Sequence, residues 1–477
     1  MRHIALGSAV PLVGVELASQ PFARIRAKLA PGAWEQLERS CEDARALLAG
    51  RTLWAINSTA RGGGVAEMQR TLLPYWRHAG LDARWLVLTG TPAFFRLTKR
   101  LHNLLHGSPV PLPGLRDHEL FARSGRAAGA QAASLISPGD IVVLHDPQTA
   151  ALVTPLKRAG AVVLWRCHVG ADRPTELVDT AWRFLLPYIE DADGYIFTRR
   201  AYVPPALDPE RVGLLTPAID PCSEKNRALA PGAARAILDR SGLARVPGRL
   251  AAAPVRRRCS VLRDAPPPLL GTDRLVVALG RWDRLKDPTG IIHAFARHVR
   301  DQEAFLVVAG PAVGAVADDP EGGQVLSEAC AAWRRLPAAR RRRIQLATLP
   351  MTDPTENARI VNALQREAAV IVKKSLQEGF GLGVTEGLWK AKPVVATRVG
   401  GHRDQVEHRR TGLLVDDPTD LPAFAAAIDA LLDDPALALE LGGAGREQVR
   451  ARYLADRHFV NWIDVLRRLP VGLGLAA

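Results

Sequence analysis

Paired cysteines are missing from this chain. Cys41, Cys167, Cys222, Cys259 and Cys330 lie far apart and form no Cys-x-x-Cys pair. That spacing argues against a disulfide scaffold and a structural zinc site, and reduced thiols in a cytoplasmic protein are expected. Long apolar runs are missing too: no segment approaches the about 20 residues that span a bilayer. The opening "ALGSAVPLVGV" is apolar, but Gly and Pro break it and Glu16 follows, so it is expected to be folded protein or an ordered arm, not a leader. Lys and Arg exceed Asp and Glu to a net charge of +14, which would suit a polyanion. The basic residues are scattered, however, apart from 256–258 and 340–343, and no basic stripe is interleaved with aromatic residues. Nucleic acid is therefore not an expected partner. There is no internal repeat and no sustained heptad.

What is present is a doubly repeated alternation. Short apolar runs stand at Thr52–Ile56, Arg84–Leu88, Asp140–Leu144, Ala161–Trp165, Gly194–Phe197 and Val212–Leu215, with helical periodicity between them. After the first run, Val65, Met68, Leu72, Leu73 and Trp76 fall on one helical face. A second series follows at Arg274–Leu279, Ala304–Gly310, Ile344–Thr348, Ala369–Val372, Pro393–Thr397 and Gly412–Val415. Continuous apolar runs separated by helices indicate buried parallel strands. A chain of 477 residues also exceeds what one core usually serves. The expected fold is α/β: two Rossmann-like, doubly wound domains facing a cleft. The domains are set at 1–230 and 272–455, joined by a linker and surface loop at 231–271 that is rich in Pro, Ala and Arg. A last helix, 456–477, returns to the N-terminal domain.

The most specific stretch is "KSLQEGFGLGVTEGLWKAKPVVATRVGG", Lys374–Gly401. Gly379, Gly381 and Gly383 let backbone N–H groups approach an anion, and the helix opening near Gly383 adds a positive dipole end. Glu378 and Glu386 flank that site, and carboxylates accept pairs of hydroxyls, so one suits a sugar and the other a ribose. In "ALGRWDRLKDP", Arg281 and Lys286 follow a strand and would neutralise a diphosphate leaving group. In "INSTARGGGVAEM" the glycines 62–64 join a strand to a helix. This is not G-x-G-x-x-G, and no suitably placed acid follows, which disfavours a dehydrogenase; a loop closing over substrate and a plain entropic turn both stay open, and Gly63 and Gly64 are assigned to donor binding. His145, Asp146, Gln148 and His168 follow two separate strands and would project into the same cleft. The "DAD" at Asp191–Asp193 precedes a strand instead of ending one, so it is read as a solvent-facing helix end and not as a metal site.

"RWDRLKDP" followed by the Glu378 loop resembles the retaining family 4 glycosyltransferases, which have a glycosyltransferase B fold. "NSTARGGGVAEM", "PAFFRLTKRLHNLLHG", "VVLHDPQTA", "VLWRCHVG" and "TPAIDPCSEKN" resemble the trehalose glycosyltransferring synthases within that family. The resemblance implies that Arg281 and Lys286 bind the donor diphosphate, Glu386 the ribose and Glu378 the donor glucose hydroxyls. It further implies that the backbone of Leu382 and Gly383 meets phosphate or sugar, and that His168 lies by the reacting carbon. Asn103 joins His145, Asp146 and Gln148 as an acceptor contact. The stretch rich in Ala, Arg and Pro before the second half is idiosyncratic, and "VKKS" and "GLGV" depart from the expected forms. The implied reaction moves glucose from a nucleoside diphosphate glucose to free glucose, giving α,α-trehalose with retention. It needs no cofactor and no metal, and its partners are those two substrates, with no nucleic acid and no membrane insertion; a homodimer is left open. Two alternatives stay open: a family 4 transferase with another acceptor, and a catalytically silent nucleotide-sugar sensor.

Overall fold

In the computed structural model, which describes residues 11–248, 252–313 and 320–470, the chain divides into two units. The first runs to Ala218 and resumes at Tyr453; the second begins at Ile219 and ends at Arg452. Both six-strand series form where the apolar runs place them. In the first unit these are β2 (Thr52–Asn57), β3 (Asp82–Leu88), β4 (Ile141–His145), β5 (Val162–Cys167), β6 (Gly194–Phe197) and β7 (Val212–Leu214). A further strand, β1 (Leu12–Val15), adds antiparallel to β3 at one edge, pairing Leu12 with Leu88. The order is β1-β3-β2-β4-β5-β6-β7, so the parallel part switches direction between β2 and β4. Residues 1–10 of the apolar opening lie outside the described residues.

The second unit holds β8 (Ser260–Leu262), β9 (Arg274–Leu279), β10 (Ala304–Pro311), β11 (Ile344–Leu349), β12 (Val370–Lys373), β13 (Val394–Thr397) and β14 (Leu413–Val415). Their order, β14-β13-β12-β9-β10-β11-β8, is the dinucleotide-fold order with an antiparallel edge strand added. The switch point falls between β9 and β12. Each sheet is covered by helices, and Ile56, Val142 and Val163 in the first unit and Val276, Leu306 and Val370 in the second are fully buried.

The stretch 231–271 differs from the expectation of a linker. It carries the helix Ala233–Ser241, which packs on the helix Pro354–Glu367, and β8, which pairs antiparallel with β11 through Leu262 and Leu346. A three-residue edge strand has too few positions to show alternation. The second unit also starts earlier than 231. Asn226 Oδ1 accepts from Lys390 Nζ at 3.0 Å, and Asn362 Nδ2 donates to Glu224 O at 3.0 Å. The turn 220–227 is thus bound into the second unit.

The helix Ala455–Arg468 belongs to the first unit. Phe459 packs edge-on against Trp76 at 4.9 Å and against Phe22 at 5.3 Å, and Trp462 meets Trp76 at 6.0 Å. All five cysteines are free thiols. Among the described residues no helix is long and apolar enough to cross a membrane.

Candidate functional site

In the second unit the functional side chains gather at the switch point. β9 delivers the 3-10 turn Arg284–Lys286, and β12 delivers Lys373, Lys374 and the glycine loop. Lys286 Nζ donates to Glu378 Oε2, and Ser375 Oγ donates to the same oxygen at 3.1 Å. His402, fully buried, donates through Nδ1 to the Thr397 carbonyl at 3.1 Å and turns Nε2 toward Glu378 Oε2 at 3.6 Å. Burial acts to raise the Glu378 carboxyl, but Lys286 and His402 outweigh it and hold the group well below the usual carboxylate range. Arg281 Nη2 lies 3.7 Å from Asp283. Asp287 adopts φ 46°, caps the helix Pro288–His298 through Gly290 N at 2.8 Å, and accepts from buried Lys374. That ion pair ties the Lys286 turn to β12.

The helix over Leu382–Trp389 opens at Gly381, whose φ of +89° is left-handed. Any Cβ there would sit 2.9 Å from His402 Nε2. Leu382 and Gly383 form its first turn, so their N–H groups are among those without a helical acceptor. Glu386, on the next turn, is buried among Gln365 Nε2 at 2.8 Å, Lys225 Nζ at 3.4 Å and the neighbouring Lys390. Burial works against its ionisation, yet Lys225 and Lys390 keep its carboxyl below the usual value. The segments "VKKS" and "GLGV" meet here. Lys373 Nζ donates to Leu279 O and sits 2.3 Å from where a Cβ on Gly383 would project. Burial pushes the Lys373 ammonium down to about 8, against the pull of Glu386 and Glu378 and with help from Lys286.

In the first unit the carboxyl ends of β4 and β5 meet. Gln69 Nε2 contacts His145 Nε2 at 2.7 Å, and His145 Nδ1 contacts His168 Nε2 at 3.1 Å, with the two rings near parallel. With the Gln69 amide donating, His145 Nδ1–H donates to His168, which leaves the His168 proton on Nδ1. Burial first, then Arg166, holds both imidazoles well below the usual histidine range, so both are neutral. Asp146 has φ 65°, an uncommon conformation for a residue with a side chain. Its Oδ1 accepts from the His168 backbone N–H at 2.7 Å, which makes it a brace for His168. Gln148 Oε1 and Thr198 Oγ1 are buried without a hydrogen-bond partner. Asn103 is buried on the helix Pro92–Leu105, which packs against the turn Pro147–Leu152 that carries Gln148. Gly63, at φ +88°, precedes the helix that Gly64 begins. The Asp193 carboxylate is spent on Lys157 at 2.6 Å and on the Val163 N–H at 2.7 Å. Among the described residues no three His, Cys, Asp or Glu side chains form a group able to hold a metal.

Gln69, Thr198, Lys225 and His402 were not singled out from the sequence, and Lys373 only as part of "VKKS". Gln69 had a signal: it is the polar residue set into the apolar face of Met68, Leu72, Leu73 and Trp76. Thr198 and His402 follow strands β6 and β13, the rule that found His145 and His168.

Two family models match this chain: "Trehalose synthase, N-terminal domain" over residues 55–204 and "Glycosyl transferases group 1" over 264–448. Trehalose synthase of Rubrobacter xylanophilus is 36% identical over 86% of this chain and 88% of its own length. Trehalose phosphorylase of Pleurotus pulmonarius is 26% identical over 82% of this chain, but that match spans only 54% of the phosphorylase. The solved structure of sucrose-phosphate synthase from Thermosynechococcus elongatus superposes with a TM-score of 0.62 at 20% identity, covering 88% of this chain and 99% of that one, and so shares the fold. With both halves matched and the fold shared, the chain belongs to the trehalose synthase family of glycosyltransferases, built on the glycosyltransferase B fold.

Proposed function

We propose that this chain transfers glucose from a nucleoside diphosphate glucose to free glucose and forms α,α-trehalose with retention at the donor carbon. The observation that carries the reading is the Lys286–Glu378 pair at the switch point of the second unit. It sets a cation for a leaving phosphate beside a carboxylate for sugar hydroxyls. Glu386, ionised and buried on the following helix, is the acceptor for ribose hydroxyls. Arg281 and Lys286 take the diphosphate charge, together with the free N–H groups of Leu382 and Gly383.

In the step itself the bond from glucose C1 to the β-phosphate oxygen breaks, and C1 bonds to the anomeric oxygen of the acceptor glucose on the same face. The acceptor proton passes to the departing phosphate oxygen. Catalysis is then stabilisation of the leaving group together with positioning. His168, neutral and braced by Asp146 and His145, meets the donor sugar, and Gln148 and Asn103 serve the acceptor. The match to a trehalose phosphorylase raises a second reading, in which inorganic phosphate takes the place of the nucleotide.

Purified protein incubated with uridine, adenosine and guanosine diphosphate glucose and free glucose should release nucleoside diphosphate and a disaccharide with two α-anomeric protons by NMR. Glucose 1-phosphate formed from trehalose and phosphate, with no turnover of any nucleotide sugar, would favour the phosphorylase reading. Binding of nucleotide sugar with no turnover of any kind would favour the sensor.

A further inference from the structure

The first unit holds a cavity of about 30 Å³ lined by Gln69, His145, Arg166, His458 and Trp462 among apolar walls. One water needs about 10–15 Å³ of such space. The polar lining is dominated by donors. Arg166 is 2% exposed and lays its guanidinium over the Trp462 ring at 5.4 Å. Its Nε and Nη2 are buried with no hydrogen-bond partner, and so are both ring nitrogens of His458. Among the described residues no carboxylate lies in ion-pair contact with Arg166. Asp146 is within electrostatic reach, yet its Oδ1 is engaged by the His168 N–H.

A buried guanidinium with no carboxylate in contact is costly, because breaking a buried pair costs about 3–5-fold more free energy than a typical neutral hydrogen bond contributes. Water would satisfy single donors and leave the charge standing. An anion satisfies both needs.

We propose that this cavity is a binding site for one small monovalent inorganic anion of the halide class, held by the Arg166 guanidinium and a His458 N–H. The anion is the counter-ion of Arg166. It sits behind the His145–His168 pair, since Arg166 stands opposite His145 in the β4–β5 register. Its occupancy stabilises the first unit without entering the transfer reaction.

The probe is bromide. Crystals of the full chain grown from sodium bromide, measured at the bromine absorption edge, should show an anomalous peak within hydrogen-bond reach of Arg166 and His458. A map with no peak there, or with peaks at exposed lysines and arginines only, overturns the proposal. In solution, replacing methanesulfonate by chloride at constant ionic strength should raise the melting midpoint by about 3 °C per tenfold in chloride once the site begins to fill. Arg166→Gln should abolish that dependence, and an unchanged dependence in the variant overturns the assignment. If Arg166→Gln does not fold, the bromide map of the native chain decides alone.

Discussion

Lys286 Nζ donates to Glu378 Oε2, so the cation proposed for the leaving group and the carboxylate proposed for the sugar hold one another. Lys286→Gln removes a charge from both roles at once. Donor kcat/KM is expected to fall about 10²- to 10³-fold, the usual cost of one electrostatic contact to developing charge. The melting midpoint should fall too, because Glu378 loses a partner while buried. Steady-state kinetics over donor concentration check this, and a loss under threefold would remove Lys286 from the leaving-group role.

Glu386 accepts from Gln365, pairs with Lys225 and lies within electrostatic reach of Lys390. For Glu386→Gln the donor KM is expected to rise about tenfold or more, the worth of a charged hydrogen bond, with kcat nearly unchanged. Binding lost equally in ground and transition states leaves turnover alone. Reduced kcat at an unchanged donor KM would contradict the ribose assignment.

Gln69 fixes the tautomer of His145 and, through it, that of His168. Gln69→Leu leaves His145 Nε2 without its partner, at about 1–3 kcal/mol. We expect kcat to fall about tenfold with the donor KM held, and Gln69→Glu not to restore the loss, because a carboxylate only accepts and would draw the His145 proton to Nε2. If Gln69→Leu lowers the melting midpoint and raises both substrate KM values together, the residue serves packing alone.

Asp456 offers a test in pH. It is 1% exposed, and burial pushes its carboxyl up to about 6 from 3.8, against the helix N–H groups nearby. Between those values the native state keeps a proton that the unfolded chain has released. Stability therefore falls as pH rises from about 4 to about 6 and is flat beyond. Asp456→Asn cannot show this loss, so at pH 7 it should exceed the parent by up to about 3 kcal/mol. Urea unfolding of both proteins at pH 4.5 and pH 7 checks it; a stability difference that does not change with pH would refute the assignment.

The parallel strands were legible because burial on both faces demands continuous apolar runs, as in "RLVVAL" and "TLWAI". The edge strands β1 and β8 were not, since each has one sheet neighbour, half-exposed residues and only three or four positions. Lys286 and Glu378 were legible as separate candidates because both residues sit in motifs at strand ends, but their contact with one another was not. Lys225 was hidden by distance along the chain: it reaches Glu386 from a turn read as part of the first domain. Lys373 was noticed as a departure, but its contact with the bare Gly383 could only be seen in three dimensions.

The second unit is an insertion within the first, since the chain leaves the first at Ala218 and returns at Tyr453. During synthesis the first sheet is therefore complete long before its covering is. Trp76 and Phe22 wait for Phe459 and Trp462, which leave the ribosome after the whole second unit. An apolar face stays uncovered through more than half of translation, and at the common pace of about 5–20 residues per second that is a wait of tens of seconds. The first unit thus keeps an apolar face open to aggregation until the end of synthesis, and a stop codon shortly before residue 455 would leave the second unit whole and the first permanently open.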